Sequence, residues 1–185
     1  RQCIIATPAP VTARIAQGLP DETTAALGQI PYGPFLSVAL LTREVGKMPW
    51  HDIYAISTPD APFSVTFNQA SGMGDAERAG RGSLMLFRGG PAAAELAMLD
   101  DSDLKALARR YLHDTFPGAE CEIEAIEIAR WPLGAPVARP GRAALQDALE
   151  KPLGRIALAG DYMESPNMNS AISAADRALA RLNLC

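Results

Sequence analysis

The residues best equipped for chemistry lie late in the sequence. They form the run Gly154-Arg155-Ile156-Ala157-Leu158-Ala159-Gly160-Asp161-Tyr162, continued by Ser165-Pro166-Asn167-Met168-Asn169-Ser170-Ala171. An apolar strand ends on a Gly-Asp pair, crosses a short loop and enters a helix rich in small residues. In open α/β sheets, ligands sit beyond the carboxyl ends of the strands. Gly160 removes a side chain where a ligand could approach the backbone. Asp161 offers an acceptor suited to the hydroxyls of a ribose-like or ribityl chain. The helix then presents unpaired N–H groups and the positive end of its dipole at the first turn. On it, Met168, Ala171, Ile172, Ala175, Leu179 and Leu182 share one face, and Ser170, Ala171, Ala174 and Ala175 permit close approach. Tight helix–sheet packing explains the same residues without a ligand, so the pattern alone leaves both readings open.

Other elements must position that segment. Cys3 to Ala6 reads as a short buried strand, followed by a helix capped by Thr7 that runs to Gln17 and stops at Gly18. Asp21 to Gln29 forms a second helix with acidic residues at its start. Phe35–Thr42, Ile53–Ser57, Ser64–Gln69 and Ser83–Arg88 read as strands bounded by Pro or Gly, and Ser71–Gly82 as an exposed loop. Asp100 to Thr115 has the clearest helical period, with Leu104, Leu107, Ala108, Tyr111 and Leu112 on one face. Glu122 to Ile128 alternates as a half-exposed strand with one slip in register. Pro132–Pro140 reads as a proline-rich crossing, Ala143–Leu149 as a short helix, Ile156–Ala159 as a buried strand and Met168–Leu182 as the closing helix.

Composition excludes several classes of function. The chain has 185 residues, 48% apolar and 21% charged, which suits an ordinary globular protein rather than a disordered one. With 17 basic against 21 acidic residues the net charge is −4, and no basic stripe offers nucleic-acid binding. Apolar runs such as Val38–Leu41 are too short to cross a bilayer. Contact with a membrane surface is left open. Cys3, Cys121 and Cys185 form no disulfide framework; each reads as a small buried apolar residue, and the usage points to a reducing, cytoplasmic compartment. With only His51 and His113 present, metal-ligand spacing is absent. His113 reads as a solvated or helix-capping residue, and nothing near His51 in sequence supports catalysis.

Three stretches together resemble one family. Ala159-Gly160-Asp161 followed by Met168-Asn169-Ser170-Ala171 is similar to the C-terminal flavin-binding signature of the FAD-dependent amine oxidase, protoporphyrinogen oxidase and phytoene desaturase superfamily. That signature reads Ala-Gly-Asp/Glu, a loop, then Met-Glu-Gly-Ala. Ile4-Ile5-Ala6-Thr7-Pro8 resembles the strand and turn by which the chain leaves the flavin domain for the second time. Arg130-Trp131-Pro132, followed by Pro136 and Pro140-Gly141, is similar to a segment of protoporphyrinogen oxidase-like members. The three occur in family order and cover nearly the whole chain.

The resemblance implies an α+β chain: a mixed β-sheet substrate domain with helices on one face, plus the C-terminal strand–helix unit of an FAD-binding domain. Residues 1–30 would be the flavin-domain exit strand and helices, 31–130 the substrate-binding domain, and 131–185 the return segment with the flavin-binding strand–helix. The cofactor would be FAD. Gly160, Asp161, Met168, Asn169, Ala171 and Trp131 would hold it, and Asn167, Pro136 and Ser37 would face the substrate pocket. The family's G-x-G-x-x-G fingerprint is absent; Gly72-Met73-Gly74 has Glu77 where a third glycine belongs. We therefore expect the C-terminal portion of a longer enzyme, inactive alone. Amine oxidases carry an aromatic where Asn167 stands, a second one near Pro136 and a lysine at Ser37. Their absence points to hydride removal from a CH–NH or CH–CH bond of a larger apolar substrate, on the protoporphyrinogen oxidase and desaturase side. Asn169-Ser170 in place of Glu-Gly favours the alternative, a flavin-free binding module on the same scaffold. Self-association through bare apolar faces is left open.

Overall fold

The structure, a computed structural model, describes residues 1–73, 79–119 and 121–183. It divides into two compact units, one of residues 1–33 and 135–185, the other Pro34–Gly134. The elements in chain order are β1 (Cys3–Ile5), α1 (Ala9–Ile15), α2 (Asp21–Gly28), β2 (Tyr32–Glu44), β3 (Ala55–Ser57), β4 (Val65–Asn68) and β5 (Arg81–Gly89). Then come α3 (Pro91–Ala97), α4 (Asp101–Thr115), β6 (Cys121–Pro136), α5 (Gln146–Glu150), β7 (Ile156–Leu158) and α6 (Met168–Arg181). The architecture is α+β.

In the Pro34–Gly134 unit, five strands lie in the order β3-β4-β5-β2-β6. β2–β5, β3–β4 and β4–β5 pair antiparallel. The period of two decides the faces. Leu36, Val38 and Leu40 of β2 and Leu84 and Leu86 of β5 point into a core shared with Trp50 and Phe63 and with Leu104, Ala108, Tyr111 and Leu112 of α4. The opposite face carries Phe35, Ser37 and Ala39 of β2 and Met85 and Phe87 of β5, all partly exposed. Asp100 caps α4 by accepting a hydrogen bond from the Asp103 N–H at 2.9 Å. That bond is the main reason its carboxyl sits below the usual carboxylate range.

The other unit is built on the parallel pair β1–β7, in register Cys3–Ile156, Ile4–Ala157 and Ile5–Leu158. Its core gathers Ala9 of α1, Leu27 of α2, Leu149 of α5, Leu158 of β7 and Ala174 and Ala178 of α6, with Tyr162 and Met163. Parallel and antiparallel pairing are thus both present, in separate sheets.

Several details differ from the sequence reading. Pro132–Pro136 continues β6 instead of forming a separate crossing, because β6 is an edge strand and tolerates missing N–H donors there. α3, which the periodicity does not announce, follows the left-handed Gly90. Arg81 and Gly82 lie in β5, not in the loop read at Ser71–Gly82, whose residues 74–78 fall outside the described residues. Pro8, not Thr7, precedes α1, and the Thr7 hydroxyl instead meets that of Thr12 at 2.8 Å. Cys3 is exposed and Cys121 half-buried; Cys185 falls outside the described residues. The buried face of α6 is Ser170, Ala174 and Ala178, with Leu182 just beyond its end, while Met168 and Ile172 are 83% and 60% exposed. Small side chains let α6 come close to β7, and the larger apolar ones are turned outward. Among the described residues no helix is long and apolar enough to cross a membrane, and no cluster of His, Cys, Asp and Glu could hold a metal ion.

Candidate functional site

β7 ends at Leu158, and Ala159 N–H donates to Ile5 O at 3.0 Å, so the strand pair delivers the chain to Gly160 at a fixed point. Gly160 has φ 131°, and a Cβ there would stand 2.9 Å from the Tyr162 ring. Both the backbone angle and that ring require glycine. Asp161 opens a single 3-10 turn, Asp161–Met163. Two side chains from the preceding segment hold this turn: Arg142 donates to Tyr162 O, and Gln146 Nε2 donates to Met163 O at 3.0 Å. Pro136 and Asp161 line one small cleft of about 20 Å³ together with Arg142 and Tyr162.

α6 then starts at Met168. Asn167 Oδ1 accepts from Ser170 N–H at 2.9 Å, and Ala171 N–H donates to Asn167 O at 3.2 Å. Ser165 and Ser170 share a hydroxyl bond of 2.7 Å. Among the described residues no hydrogen bond involves the Met168 or Asn169 N–H. The first turn is therefore half closed by its own cap and half open. Beside it lies a hollow of about 390 Å³ lined by Asn167, Met168, Asn169, Ser170, Glu164 and Ser173. The Glu164 carboxylate pairs with Arg177 at 2.8 Å.

Beneath Asp161 sits a pair of tyrosines. The Tyr32 hydroxyl accepts from Ala9 N–H at 3.2 Å and faces Asp161. Burial, reinforced by the Asp161 charge, pushes its phenol up to about 12. Tyr162 is 2% exposed; its hydroxyl approaches Thr12 but has no hydrogen-bond partner, and burial pushes it up to about 12 as well. A folded-state value above the ordinary one, near 10, means that stability is complete below pH 10. It is then lost as pH rises through about 12. Tyr162→Phe deletes a buried hydroxyl that lacks a partner, so we expect stabilisation by about 1 kcal/mol. The same change removes one late-ionising phenol from the phenolate absorbance titration. A destabilised Phe variant in urea would show instead that the hydroxyl is bonded.

Trp131 and Ser37 belong to the Pro34–Gly134 unit. Trp131 is 54% exposed on β6, and its Nε1 donates to Ser37 Oγ on β2 at 3.4 Å. Arg43 on β2 pairs with Glu124 on β6. The two contacts run in opposite order along the strands, as in an antiparallel pair. Of the residues singled out from sequence, the structure brings together Gly160, Asp161 and Pro136 with the α6 start in one unit, and Ser37 with Trp131 in the other. Sequence reasoning missed Tyr32, Arg142 and Gln146, which reach the Asp161 turn from distant segments.

It also missed a buried polar cluster at the end of β2. Glu44 accepts from Trp50 Nε1 at 2.8 Å and Thr42 Oγ1 at 3.0 Å, and its second oxygen meets His51 Nε2 at 2.7 Å. The Met48 N–H donates to His51 Nδ1 at 3.3 Å, which places the ring proton on Nε2, toward Glu44. Burial, with the Glu44 charge, holds the Cys121 thiol above its ordinary range, so it is a poor nucleophile. His113 is exposed and lies against Asp114.

The family model of flavin containing amine oxidoreductases matches residues 1–183. The chain belongs to this family. Solved structures share its fold at low identity. A protein from Exiguobacterium sp. 255-15 assigned as a protoporphyrinogen oxidase gives a TM-score of 0.76 at 16% identity, over 98% of this chain and 40% of its own. Putrescine oxidase with bound putrescine gives 0.77 at 17%, over 100% and 43%. Cyclohexylamine oxidase from Brevibacterium oxydans IH-35A gives 0.73 at 17%, over 98% and 42%. Such identities speak for the fold alone, and the chain spans about two fifths of the length of these relatives. No curated protein matches the sequence. The family implies a flavin cofactor, and the donor set at the start of α6 fits one. Two free amides at a helix start beside an exposed Met168 offer polar and apolar contact at once to a flat, carbonyl-edged ring.

Proposed function

We propose that this chain supplies the flavin-proximal strand–helix unit and the substrate-facing sheet of an FAD-dependent oxidoreductase. The reaction is removal of hydride from a CH–NH or CH–CH bond of an apolar organic substrate, nearer to protoporphyrinogen oxidases and desaturases than to amine oxidases. The observation that carries this reading is the open amide pair of Met168 and Asn169, which follows directly on the Gly160-Asp161 turn. A bound flavin would supply the hydride acceptor, and the proton that the oxidation also releases would pass to solvent, so no residue of this chain is assigned as a base. The Met168 and Asn169 N–H groups would hold the flavin, and Ala171 would leave room for that approach. Asp161 would take ribityl hydroxyls or, through water, diphosphate-linked oxygens, with its turn fixed by Arg142 and Gln146. In the Pro34–Gly134 unit Ser37 takes the substrate-facing role, with Trp131 beside it; in the other unit that role falls to Asn167 and Pro136. The uncharged Ser37 and Asn167, where amine oxidases have a lysine and an aromatic, support the apolar substrate.

A flavin-free binding module is the second reading. It is favoured by the Asn167 side chain, which already occupies the Ser170 N–H, and by the Ser165–Ser170 bond across the same mouth. The visible spectrum of the longer reading frame after gentle purification separates the two. We expect near-stoichiometric flavin absorbance there and no tight FAD retention by the 185-residue chain alone. A colourless long protein favours the binding module.

A further inference from the structure

We propose that Arg130 is a positioning residue: by clamping the far end of α3, it sets where the Trp131 indole stands against Ser37. As a statement about catalysis, this rests on the reading that Ser37 and Trp131 border the substrate. As a statement about the fold, it stands on contacts within the Pro34–Gly134 unit.

Neighbouring residues of a strand point to opposite faces, so Arg130 and Trp131 leave β6 on opposite sides. Trp131 reaches Ser37 of β2. Arg130 turns to the helix layer, where its guanidinium meets three acceptors on successive pieces of chain. Nε donates to Ala97 O at 3.2 Å, at the end of α3, and Nη2 donates to Leu99 O at 2.9 Å, in the link that follows. Nη1 pairs with Asp101 at 2.7 Å, at the start of α4. The last carbonyls of a helix have no partner within it, and a planar fork of five donors satisfies several acceptors at once. A lysine ammonium, a single point of charge, cannot span the same three groups.

Both ends of α3 are tied to the strands that carry the two site residues. The helix begins behind Gly90, whose N–H donates to Pro34 O of β2 at 3.0 Å. It ends under Arg130 of β6. Between these ties Ala93 is buried and Leu96 packs against the core of the unit. The helix is thus a strut from β2 to β6, and Ser37 and Trp131 belong to those same two strands.

Trp131 needs such a strut. β6 lies at the edge of the sheet, next to β2. Pro132, the following residue, has no N–H to give the ladder. The indole is more than half exposed, and its bond to Ser37 Oγ, at 3.4 Å, is long for a hydrogen bond. Neither the ladder nor that bond fixes the ring by itself. The Asp101 carboxylate is largely solvated, so its arm of the clamp is weak and the two carbonyl arms do the positioning.

The test is fluorine NMR of the 185-residue chain labelled with fluorotryptophan, which gives one line each for Trp50 and Trp131. Trp131→Phe assigns the lines, and Trp50, buried in the core, reports on the fold as a whole. We expect Arg130→Met to shift the Trp131 line and leave the Trp50 line in place. Arg130→Lys, which keeps the charge but loses the fork, should do the same. Asp101→Asn, which keeps both carbonyl contacts, should shift neither. A Trp131 line unmoved in the Arg130 variants overturns the proposal, as do two lines that shift together, because Arg130 would then serve the fold alone. A Lys variant that matches the parent also overturns it, since charge without the fork would suffice. So does Asp101→Asn shifting Trp131 as far as Arg130→Met. If Arg130→Met fails to fold by circular dichroism, the Lys variant decides by the same criteria. Failure of the flavin reading shows separately, as a colourless long protein whose Trp131 line still answers to Arg130; that result removes the catalytic meaning and keeps the positioning.

Discussion

Gly82→Ala is expected to cost on the order of 3 kcal/mol, enough to erase a large part of the stability of a domain this size. A Cβ at position 82 falls within the Glu44 carboxylate, 2.6 Å from its Cδ and 2.5 Å from Thr42 Oγ1. That carboxylate cannot swing aside freely. Trp50, Thr42 and His51 hold it, and the Glu44 N–H is bound to Gly80 O at 2.8 Å. Displacing it leaves the indole N–H of Trp50, 2% exposed, without an acceptor. Gly89→Ala, in the same strand, brings only an ordinary contact with Phe35 and should stay within about 1 kcal/mol of the parent. Glu44→Gln isolates the hydrogen-bond part of the effect. Its amide N–H₂ must face either the indole N–H of Trp50 and the hydroxyl of Thr42 or the Nε2–H of His51, which Met48 holds in that tautomer. We expect a loss of about 1–2 kcal/mol. Urea unfolding at unchanged slope measures all three. A Gly82→Ala protein as stable as Gly89→Ala would show that the Glu44 cluster is loose.

That cluster also shows where the sequence was readable and where it was not. β2 and α4 are legible because their apolar periods, two and 3.6, persist long enough to outweigh local ambiguity. The strand runs two residues past the Thr42 read from the sequence, which puts Glu44 inward on the face of Leu36, Val38 and Leu40, and its partners return through a loop that carries no period. His51 therefore looked isolated. α3 was missed because Pro91-Ala-Ala-Ala-Glu-Leu-Ala offers too little contrast between faces. On α6 the large side chains, Met168 and Ile172, drew the apolar face to the wrong side; close approach to β7 selects Ser170, Ala174 and Ala178 instead. At the candidate site, the Gly160-Asp161 turn and the α6 start stand out as a contiguous motif. Tyr32, Arg142 and Gln146 support that turn from segments whose proximity only the fold creates, and no local spacing announces them.

The start of α6 offers a test in which two observables move in opposite directions. Met168 opens a 14-residue helix, and its N–H makes no hydrogen bond among the described residues. Asn167 before it is extended, with φ −147° and ψ 166°, as the residue before a proline must be. Met168→Pro therefore deletes one free amide at the helix position where proline fits, which should raise stability by about 0.4–1 kcal/mol. The same change removes a donor from the proposed flavin contact. We therefore expect the flavin retained by the longer protein to fall by about tenfold or more, roughly 1.4 kcal/mol of binding. Met168→Ala, which trims the side chain but keeps the N–H, should retain most of it. Damage to the fold cannot imitate this pattern, because it would lower stability and flavin content together. Gel filtration with flavin absorbance per polypeptide, read beside the thermal midpoint, separates the outcomes. If the Pro variant gains stability and keeps its flavin in full, this amide does not contact the cofactor, and the proposed orientation of α6 toward it is wrong.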